Sequence, residues 1–363
     1  METSLSKKRN RLQKVLSIIW DKMRRLRTSA LGETSSIKKP RYCCWVINYR
    51  CMLRCKMCHI WSLDYDSKLA TSMEEKKRFV RSLRNLVDPG FEFHLSGGEP
   101  LMEEGIFELI KFISDEGYKT NLVTNGFLVN KEIAKKILES GLGTLTFSLD
   151  GVCATTHDFL RGVAGSYEKI MQAIACLDNF DGRKLKIAIL TTIMERNIDE
   201  LLELVQRVQS DKRLEMISFQ AVTQPFCEES DNTWFLKEEN KYLWPQDIAK
   251  AALVMDKLKE LKNKGYRIGN KPDHFMHFKE YFSNPNMFLK KIKCNLGDYE
   301  FHVDPYGKVF FCCLMDPIGN IKNGYIPKIW GSLEANSIRQ EIYNCRKNCH
   351  IMVNCFYEDE PRA

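Results

Sequence analysis

The sequence contains the stretch Cys51-Met52-Leu53-Arg54-Cys55-Lys56-Met57-Cys58, in which three cysteines fall within eight positions. Three thiolates on one short loop can bind three irons of a [4Fe–4S] cluster. A cluster used only for electron transfer normally takes four cysteine ligands. The C-x3-C-x2-C spacing of Cys51, Cys55 and Cys58 therefore predicts a cluster whose fourth iron has no protein ligand and is open to chemistry.

Strand-like and helix-like segments alternate around this loop, from residue 42 to residue 222. The strands are predicted at 42–49, 91–96, 119–124, 143–149, 185–192 and 214–222. The helices between them are predicted at 72–87, 102–116, 130–140, 166–179 and 198–210. Such alternation predicts an α/β fold with parallel strands and right-handed crossovers. Six units are too few for a closed eight-stranded barrel, so we expect an open, partial (β/α)6 barrel with the cysteine loop at the carboxyl ends of its strands.

The second predicted strand runs into Ser96-Gly97-Gly98-Glu99-Pro100. Two glycines allow the backbone to approach a ligand closely, and its exposed carbonyl groups can accept hydrogen bonds from an ammonium group. By itself Gly-Gly-Glu-Pro is usually just a turn. One strand downstream of a three-cysteine loop, it becomes a much more specific signal.

The three-cysteine loop and Gly97-Gly98-Glu99-Pro100 together resemble the radical S-adenosylmethionine (radical SAM) superfamily, over roughly residues 42–222. The resemblance implies that the amino and carboxylate groups of S-adenosylmethionine chelate the fourth iron. It further implies that cluster reduction yields a 5′-deoxyadenosyl radical, which removes a hydrogen atom from a substrate. A reductant such as flavodoxin or ferredoxin is implied as a partner.

The same resemblance assigns cofactor-binding residues by position. Gly97, Gly98, Glu99 and Pro100 are expected at the methionyl amino group of S-adenosylmethionine. Met57 is expected beside the adenine, where the family usually has an aromatic residue; its polarisable side chain can pack there.

Three later segments of the chain also match the family. Asn125 lies in the turn Thr124-Asn125-Gly126 after the third strand. Ser148 and Asp150, at the end of the fourth strand, are expected at the ribose, and Arg161 at the cofactor carboxylate. The alternatives are an ordinary turn at Asp150 and a surface ion pair at Arg161.

A second group of cysteines occupies residues 294–355. Cys294 and Cys312 flank a predicted hairpin whose turn is Asp304-Pro305-Tyr306-Gly307, and Cys345, Cys349 and Cys355 follow. This C-x12-G-x4-C…C…C layout resembles the SPASM and twitch auxiliary-cluster domains.

That resemblance implies a second, auxiliary [4Fe–4S] cluster bound by Cys294, Cys312 and two of the three later cysteines. Cys313 is excluded because adjacent strand residues face opposite ways. A zinc site is the alternative for the same cysteines.

Residues 1–41 are a basic extension, with twelve lysines and arginines against three acids, so the rest of the chain is close to neutral. Apolar residues at helical spacing predict an amphipathic helix, which either contacts an anionic membrane peripherally or covers the folded body. We expect no nucleic acid partner. With no membrane span or secretion signal in the sequence, we expect a cytoplasmic protein, with membrane association as the alternative.

The chain is expected to divide into the extension (1–41), the radical SAM core (42–240), a connecting helical region (241–293) and the auxiliary domain (294–363).

The first hypothesis for the substrate is a peptide or protein side chain. The alternatives are a small sugar or lipid-linked metabolite and, in another class, an iron–sulfur sensor or nucleic-acid-binding protein. The remaining cysteines are predicted to be structural: Cys43, Cys44, Cys153, Cys176 and Cys227.

Overall fold

The structure is a computed structural model that describes residues 37–178, 184–288, 294–345 and 349–355. The amphipathic helix predicted within the first 36 residues lies outside the described residues. In the described part of the chain, no helix has the length and apolar character needed to cross a membrane.

The strands are β1 Tyr42–Val46, β2 Glu92–Ser96, β3 Lys119–Thr124, β4 Thr144–Ser148, β5 Lys186–Ile193, β6 Met216–Ala221, β7 Glu300–Val303, β8 Lys308–Phe310 and β9 Gly319–Asn320. The α-helices are α1 Met73–Ser82, α2 Ile106–Asp115, α3 Lys131–Glu139, α4 Ala154–Arg161, α5 Ser166–Asp178, α6 Leu201–Ser210, α7 Ile248–Asn263, α8 Pro272–Ser283, α9 Pro285–Phe288, α10 Leu296–Tyr299, α11 Ile326–Trp330 and α12 Leu333–Tyr343.

The first six strands form one parallel sheet in which each strand pairs with the next along the chain, in the order β6-β5-β4-β3-β2-β1. β1 and β6 do not pair with each other, so the sheet stays open. The prediction of an α/β partial barrel with six parallel strands is confirmed. Its carboxyl edge, where the loops after the strands emerge, carries the cysteine loop.

Alternation along β1 separates the two faces of the sheet. Cys43 and Trp45 are fully buried, and the Trp45 ring packs edge-on against Phe79 of α1 at a centroid distance of 5.0 Å. Successive strand residues point to opposite faces, so Tyr42 and Cys44 face away from the helices. This second face is the inner surface of the open barrel.

The C-terminal hairpin belongs to the same sheet. β7 pairs in parallel with β1, and β8 and β9 continue as antiparallel strands. The hairpin prediction is confirmed, with Gly307 in the turn at φ 86°. Backbone hydrogen bonds join β7 to β1 at the edge of the barrel, so the hairpin of the predicted auxiliary domain continues the sheet of the core.

The C-terminal residues also reach the other free edge of the barrel. The Asn354 side chain donates to the Ala221 carbonyl at 2.8 Å, and the Ala221 amide donates back to Asn354 Oδ1 at 2.9 Å. Ala221 is the last residue of β6, so this pair of bonds satisfies the end of a strand whose earlier residues Ile217 and Phe219 bond to Gly269 and Asn270.

Two helices differ from their predictions. The helix predicted at 72–87 ends at Ser82, and irregular turns continue the apolar spacing to Leu86, ahead of Pro89. Helix α4 was not predicted at all. It has no side-chain cap at its start, and it ends at Gly162, whose positive φ of 71° forms the cap.

Candidate functional site

The three-cysteine loop leaves β1 at the carboxyl edge of the barrel. Cys55 is buried, while Cys51 and Cys58 are half-buried. Burial raises the pKa of the Cys51 and Cys58 thiols to about 11 each. In such surroundings a thiolate needs a compensating positive charge, which metal coordination supplies.

Backbone hydrogen bonds hold the loop on two sides. The amides of Arg54 and Lys56 donate to carbonyls at the end of α4, at 3.1 and 2.8 Å. On the other side, the Phe226 carbonyl accepts from the His59 amide at 3.1 Å. Phe226 lies in the segment after β6, so residues distant in sequence fix the shape of the loop.

Gly162 makes the approach of α4 to this loop possible. A Cβ atom at this position would lie 2.1 Å from the Arg54 carbonyl oxygen, well inside van der Waals contact. The same residue has the positive φ that ends the helix. Glycine is therefore required here for both its conformation and its lack of a side chain.

The glycines after β2 approach the protein's own backbone. A Cβ on Gly97 would lie 2.4 Å from the Asn48 carbonyl oxygen, and one on Gly98 would lie 2.1 Å from that of Arg50. The Gly98 amide also donates to Asn48 at 2.8 Å. The close backbone approach expected of these glycines is thus made to the segment that leads into the cysteine loop. Their contact with a cofactor stays a prediction.

Glu99 connects the glycine turn to the end of β3. Its carboxylate is fully buried and accepts hydrogen bonds from the Leu101 and Asn125 amides and from the Thr124 hydroxyl, at 3.1, 2.9 and 2.8 Å. Burial nevertheless raises the pKa of Glu99 to about 7. Pro100 follows as the first residue of a 3₁₀ turn. The structure gives Glu99 a positioning role between two loops.

Two nitrogen donors point toward the cysteine thiols. Asn125 Nδ2 lies 3.8 Å from Cys51 Sγ, and Arg161 Nη1 lies 3.9 Å from Cys55 Sγ. Thiolates bound to iron accept such N–H···S contacts, which help set the properties of a cluster. Three thiols on one loop with donors on two of them fit a [4Fe–4S] cluster with one open iron.

Arg161 is held by a buried ion pair. Its guanidinium lies 2.6 Å from Asp150 Oδ2, and Asp150 is fully buried. The other Asp150 oxygen accepts from the Thr192 amide at 2.8 Å, and the Asp150 amide donates to His157 Nδ1 at 3.1 Å. Asp150 therefore positions Arg161 beside the cysteine loop, while its predicted contact with a ribose stays untested.

The remaining predicted cofactor residues lie on the same edge. Ser148 is the last residue of β4, paired in register with Leu190, and is half-buried. Met57 is half-buried against the core. Their roles at the ribose and the adenine stay predictions.

The C-terminal cysteines collect toward the opposite edge, because Cys294 precedes β7 and Cys312 follows the antiparallel β8. Burial, together with the neighbouring thiols of Cys312, Cys349 and Cys345, raises the pKa of Cys294 to about 11. For Cys355, whose pKa is raised first by burial, Glu300 and Cys44 act more strongly than Cys349 and Cys294 do. This grouping favours Cys345 and Cys349 as the partners of Cys294 and Cys312.

Several cysteines outside the predicted ligand sets lie in exposed positions. Cys153 and Cys227 are exposed rather than buried. Cys227 follows Phe226 beside the cysteine loop, with φ at 77°, and its charge acts on the Cys58 thiol. Cys313, excluded as a ligand, is exposed and contacts Cys312, which raises its pKa. Nothing in the sequence around Cys227 marks its position near the loop.

An open parallel barrel with a three-thiol loop at its carboxyl edge defines an enzyme class built around an iron–sulfur cluster with one free iron. Two family models agree with this assignment. The model of the Radical SAM superfamily matches residues 45–208. The model of the SPASM iron-sulfur cluster-binding domain matches residues 294–355. The protein is a radical SAM enzyme with a C-terminal SPASM-type auxiliary-cluster domain. The enzyme and cofactor predictions are confirmed: a [4Fe–4S] cluster, S-adenosylmethionine and auxiliary iron–sulfur binding.

Two curated relatives span much of the chain. The chain is 27% identical to an AdoMet-dependent heme synthase of Methanosarcina barkeri over 351 residues, covering 89% of this chain and 95% of that protein. It is 26% identical to a PqqA peptide cyclase of Bradyrhizobium diazoefficiens over 311 residues, covering 80% and 72%. Relatives of similar identity thus act on chemically different substrates.

Among solved structures, Streptococcus suis SuiB bound to S-adenosylmethionine superimposes with a TM-score of 0.61 at 15% identity, covering 87% of this chain and 70% of that one. This likeness shows the shared fold.

Proposed function

We propose that this enzyme removes a hydrogen atom from a peptide or protein side chain held inside the open barrel. The observation that carries the proposal is the three-thiol loop, fixed by α4 and Phe226 at the carboxyl edge with Arg161 and Asn125 directed at its sulfurs. When the cluster and S-adenosylmethionine are bound, they supply the 5′-deoxyadenosyl radical that removes the hydrogen atom.

The residues of the chain hold and shield that chemistry. Cys51, Cys55 and Cys58 would bind three irons and leave the fourth open to the cofactor. The Asp150–Arg161 pair keeps a buried positive charge beside Cys55, which stabilises its thiolate. The glycine turn stays rigid through the buried Glu99 bridge. These groups bind and orient the reacting groups before the substrate arrives.

The peptide proposal is supported by relatives that act in peptide maturation. The matches to the PqqA peptide cyclases cover 80% of this chain. The match to a mycofactocin maturase of Mycolicibacterium smegmatis covers 43% of it. A reductant of the flavodoxin or ferredoxin type remains part of the proposal.

The proposal is tested in two stages. Anaerobically reconstituted, reduced protein with S-adenosylmethionine should release 5′-deoxyadenosine, measured by chromatography. Candidate peptides encoded by neighbouring genes should then accelerate release and give a stable product whose mass differs from that of the peptide. Release without any peptide that changes mass would refute the peptide proposal while leaving radical SAM activity intact.

A tetrapyrrole is a second candidate substrate. The full-length match to the heme synthase and the match to an Fe-coproporphyrin III synthase of the same organism favour it. Incubation with iron-coproporphyrin III is the direct comparison: a porphyrin product with loss of mass, and no peptide product, would replace the peptide proposal with this one.

A further inference from the structure

The inner face of the sheet carries a group of three metal-ligating side chains, none of which is a predicted cluster ligand. The Cys44 sulfur, a Glu300 carboxylate oxygen and a His302 ring nitrogen all lie within 4.8 Å of one another. The His302 Nε2 atom lies 3.2 Å from Glu300 Oε1. Neither the three-cysteine loop nor the set of Cys294, Cys312, Cys345 and Cys349 includes any of these residues.

Strand register brings the three side chains together. Cys44 on β1 pairs with His302 on β7. Two residues nearer the amino edge of the sheet, Tyr42 pairs with Glu300. Phe301 and Val303 are buried in the core, so Glu300 and His302 point to the opposite, inner face, as Cys44 does. The group therefore depends on the parallel β1–β7 pairing and on no flexible loop.

The donor set suits a transition metal of the zinc type. Zn²⁺ is bound by thiolate, imidazole and carboxylate at about 2.0–2.3 Å, which in a tetrahedron separates ligands by about 3.5 Å. The present separations of at most 4.8 Å need only side-chain rotation to reach that value. Soft sulfur and borderline nitrogen exclude Mg²⁺ and Ca²⁺, which prefer oxygen ligands.

The electrostatics of the group call for a cation. Glu300 is buried, and it raises the pKa of Cys44, which burial has already raised. Glu300 and Cys44 also raise the pKa of Cys355, more than Cys349 and Cys294 do. A Glu300–His302 ion pair alone would not explain why two thiols gather at the same carboxylate.

We propose that Cys44, Glu300 and His302 bind one divalent transition-metal ion of the zinc class at the inner face of the barrel. The bound ion ties β7 to β1 through side chains as well as through backbone. The proposal does not depend on which substrate the enzyme uses.

The test measures metal on the anaerobically purified holoenzyme. Protein is equilibrated with Zn²⁺, desalted, and assayed for zinc and iron by mass spectrometry. Wild type should hold one zinc per chain that His302→Ala and Cys44→Ser lose, with iron unchanged. His94→Ala is the matched control, because His94 flanks Cys44 on β2 in the same register but lies outside the group; it should keep its zinc.

Two outcomes would overturn the proposal. One is zinc that His302→Ala retains but Cys345→Ala loses, which would place the ion at the C-terminal cysteines. The other is equal zinc loss in His302→Ala and His94→Ala. If His302→Ala fails to fold, Co²⁺ substitution replaces it: wild type should gain a thiolate-to-cobalt absorption band that Cys44→Ser lacks, and a band of equal strength in both refutes the site.

Discussion

The two cysteine-rich regions of this protein are built in different ways. Cys51, Cys55 and Cys58 lie on one loop, and the rest of the fold only braces it, through α4 and Phe226. The C-terminal group is assembled from residues before β7, after β8 and after α12, at the other end of the inner sheet face. The first site is thus encoded by local spacing, while the second exists only once distant segments have packed.

The largest expected difference between the two regions is in cleavage of S-adenosylmethionine. Cys58→Ala removes an iron ligand and should reduce 5′-deoxyadenosine release to background. Cys349→Ala should retain release without substrate and lose turnover of the substrate. Chromatographic assay of reduced, reconstituted variants checks both, and equal loss in the two variants would erase the functional distinction.

The next largest expected effect is on the iron bound by the C-terminal cysteines. Cys345→Ala should lower bound iron by about four atoms per chain, because a [4Fe–4S] cluster with a missing cysteine is poorly held. Cys355→Ala is the matched variant and should keep that iron, since Glu300 and Cys44 act on Cys355 more strongly than Cys349 and Cys294 do. Iron and sulfide analysis decides it; the reverse pattern would move Cys355 into the auxiliary cluster.

The buried ion pair beside the first site should dominate local stability. Arg161→Met leaves Asp150 charged and buried, at a cost of about 3–5 kcal/mol in the free energy of unfolding. Arg84→Met removes an exposed guanidinium from Glu116, which keeps Arg81 as a partner, and should cost under about 1 kcal/mol. Urea unfolding compares them, and similar losses would show that the Asp150–Arg161 pair is not structurally central.

Close packing of α4 on the loop gives a smaller effect. Gly162→Ala and Gly165→Ala both place a side chain at positive φ, which costs about 1–2 kcal/mol. Only Gly162→Ala also clashes with Arg54, since nothing lies within 4 Å of a Cβ at Gly165. Iron bound by the first site should fall in Gly162→Ala alone, and unaltered iron there would contradict the bracing role of α4.

The smallest expected effect is a pH dependence at His157. Burial lowers the pKa of His157 to about 3, so the folded protein keeps it neutral while the unfolded chain protonates it near pH 6.5. Its contribution to stability is present above about pH 6.5 and is lost as the pH falls toward 3.

His157→Asn keeps an acceptor for the Asp150 amide but cannot become charged. Between pH 7.5 and 5.5 it should lose about 1 kcal/mol less stability than wild type. Unfolding curves at both pH values measure the difference, and parallel losses would show that His157 is not buried in its neutral form.

The same contrast between local spacing and long-range packing explains which of these features the sequence predicted. The six parallel strands, the hairpin and the cysteine loop came from short-range patterns of alternation and spacing. Helix α4 lacked a capping side chain, and Cys44 looked like an ordinary strand residue. The β1–β7 pairing, the role of Phe226 and the Cys44–Glu300–His302 group depend on contacts between distant residues, which no local pattern in the sequence reports.

The parallel pairing of β1 with β7 has a consequence for how the protein is made. The paired residues are separated by about 260 positions. At a synthesis rate of about 5–20 residues per second, β1 waits roughly 10–50 s on the ribosome before β7 emerges. During that interval one edge of the nascent barrel has unpaired backbone groups that other chains can bind. A strand translated about 260 residues later therefore completes the pairing of β1.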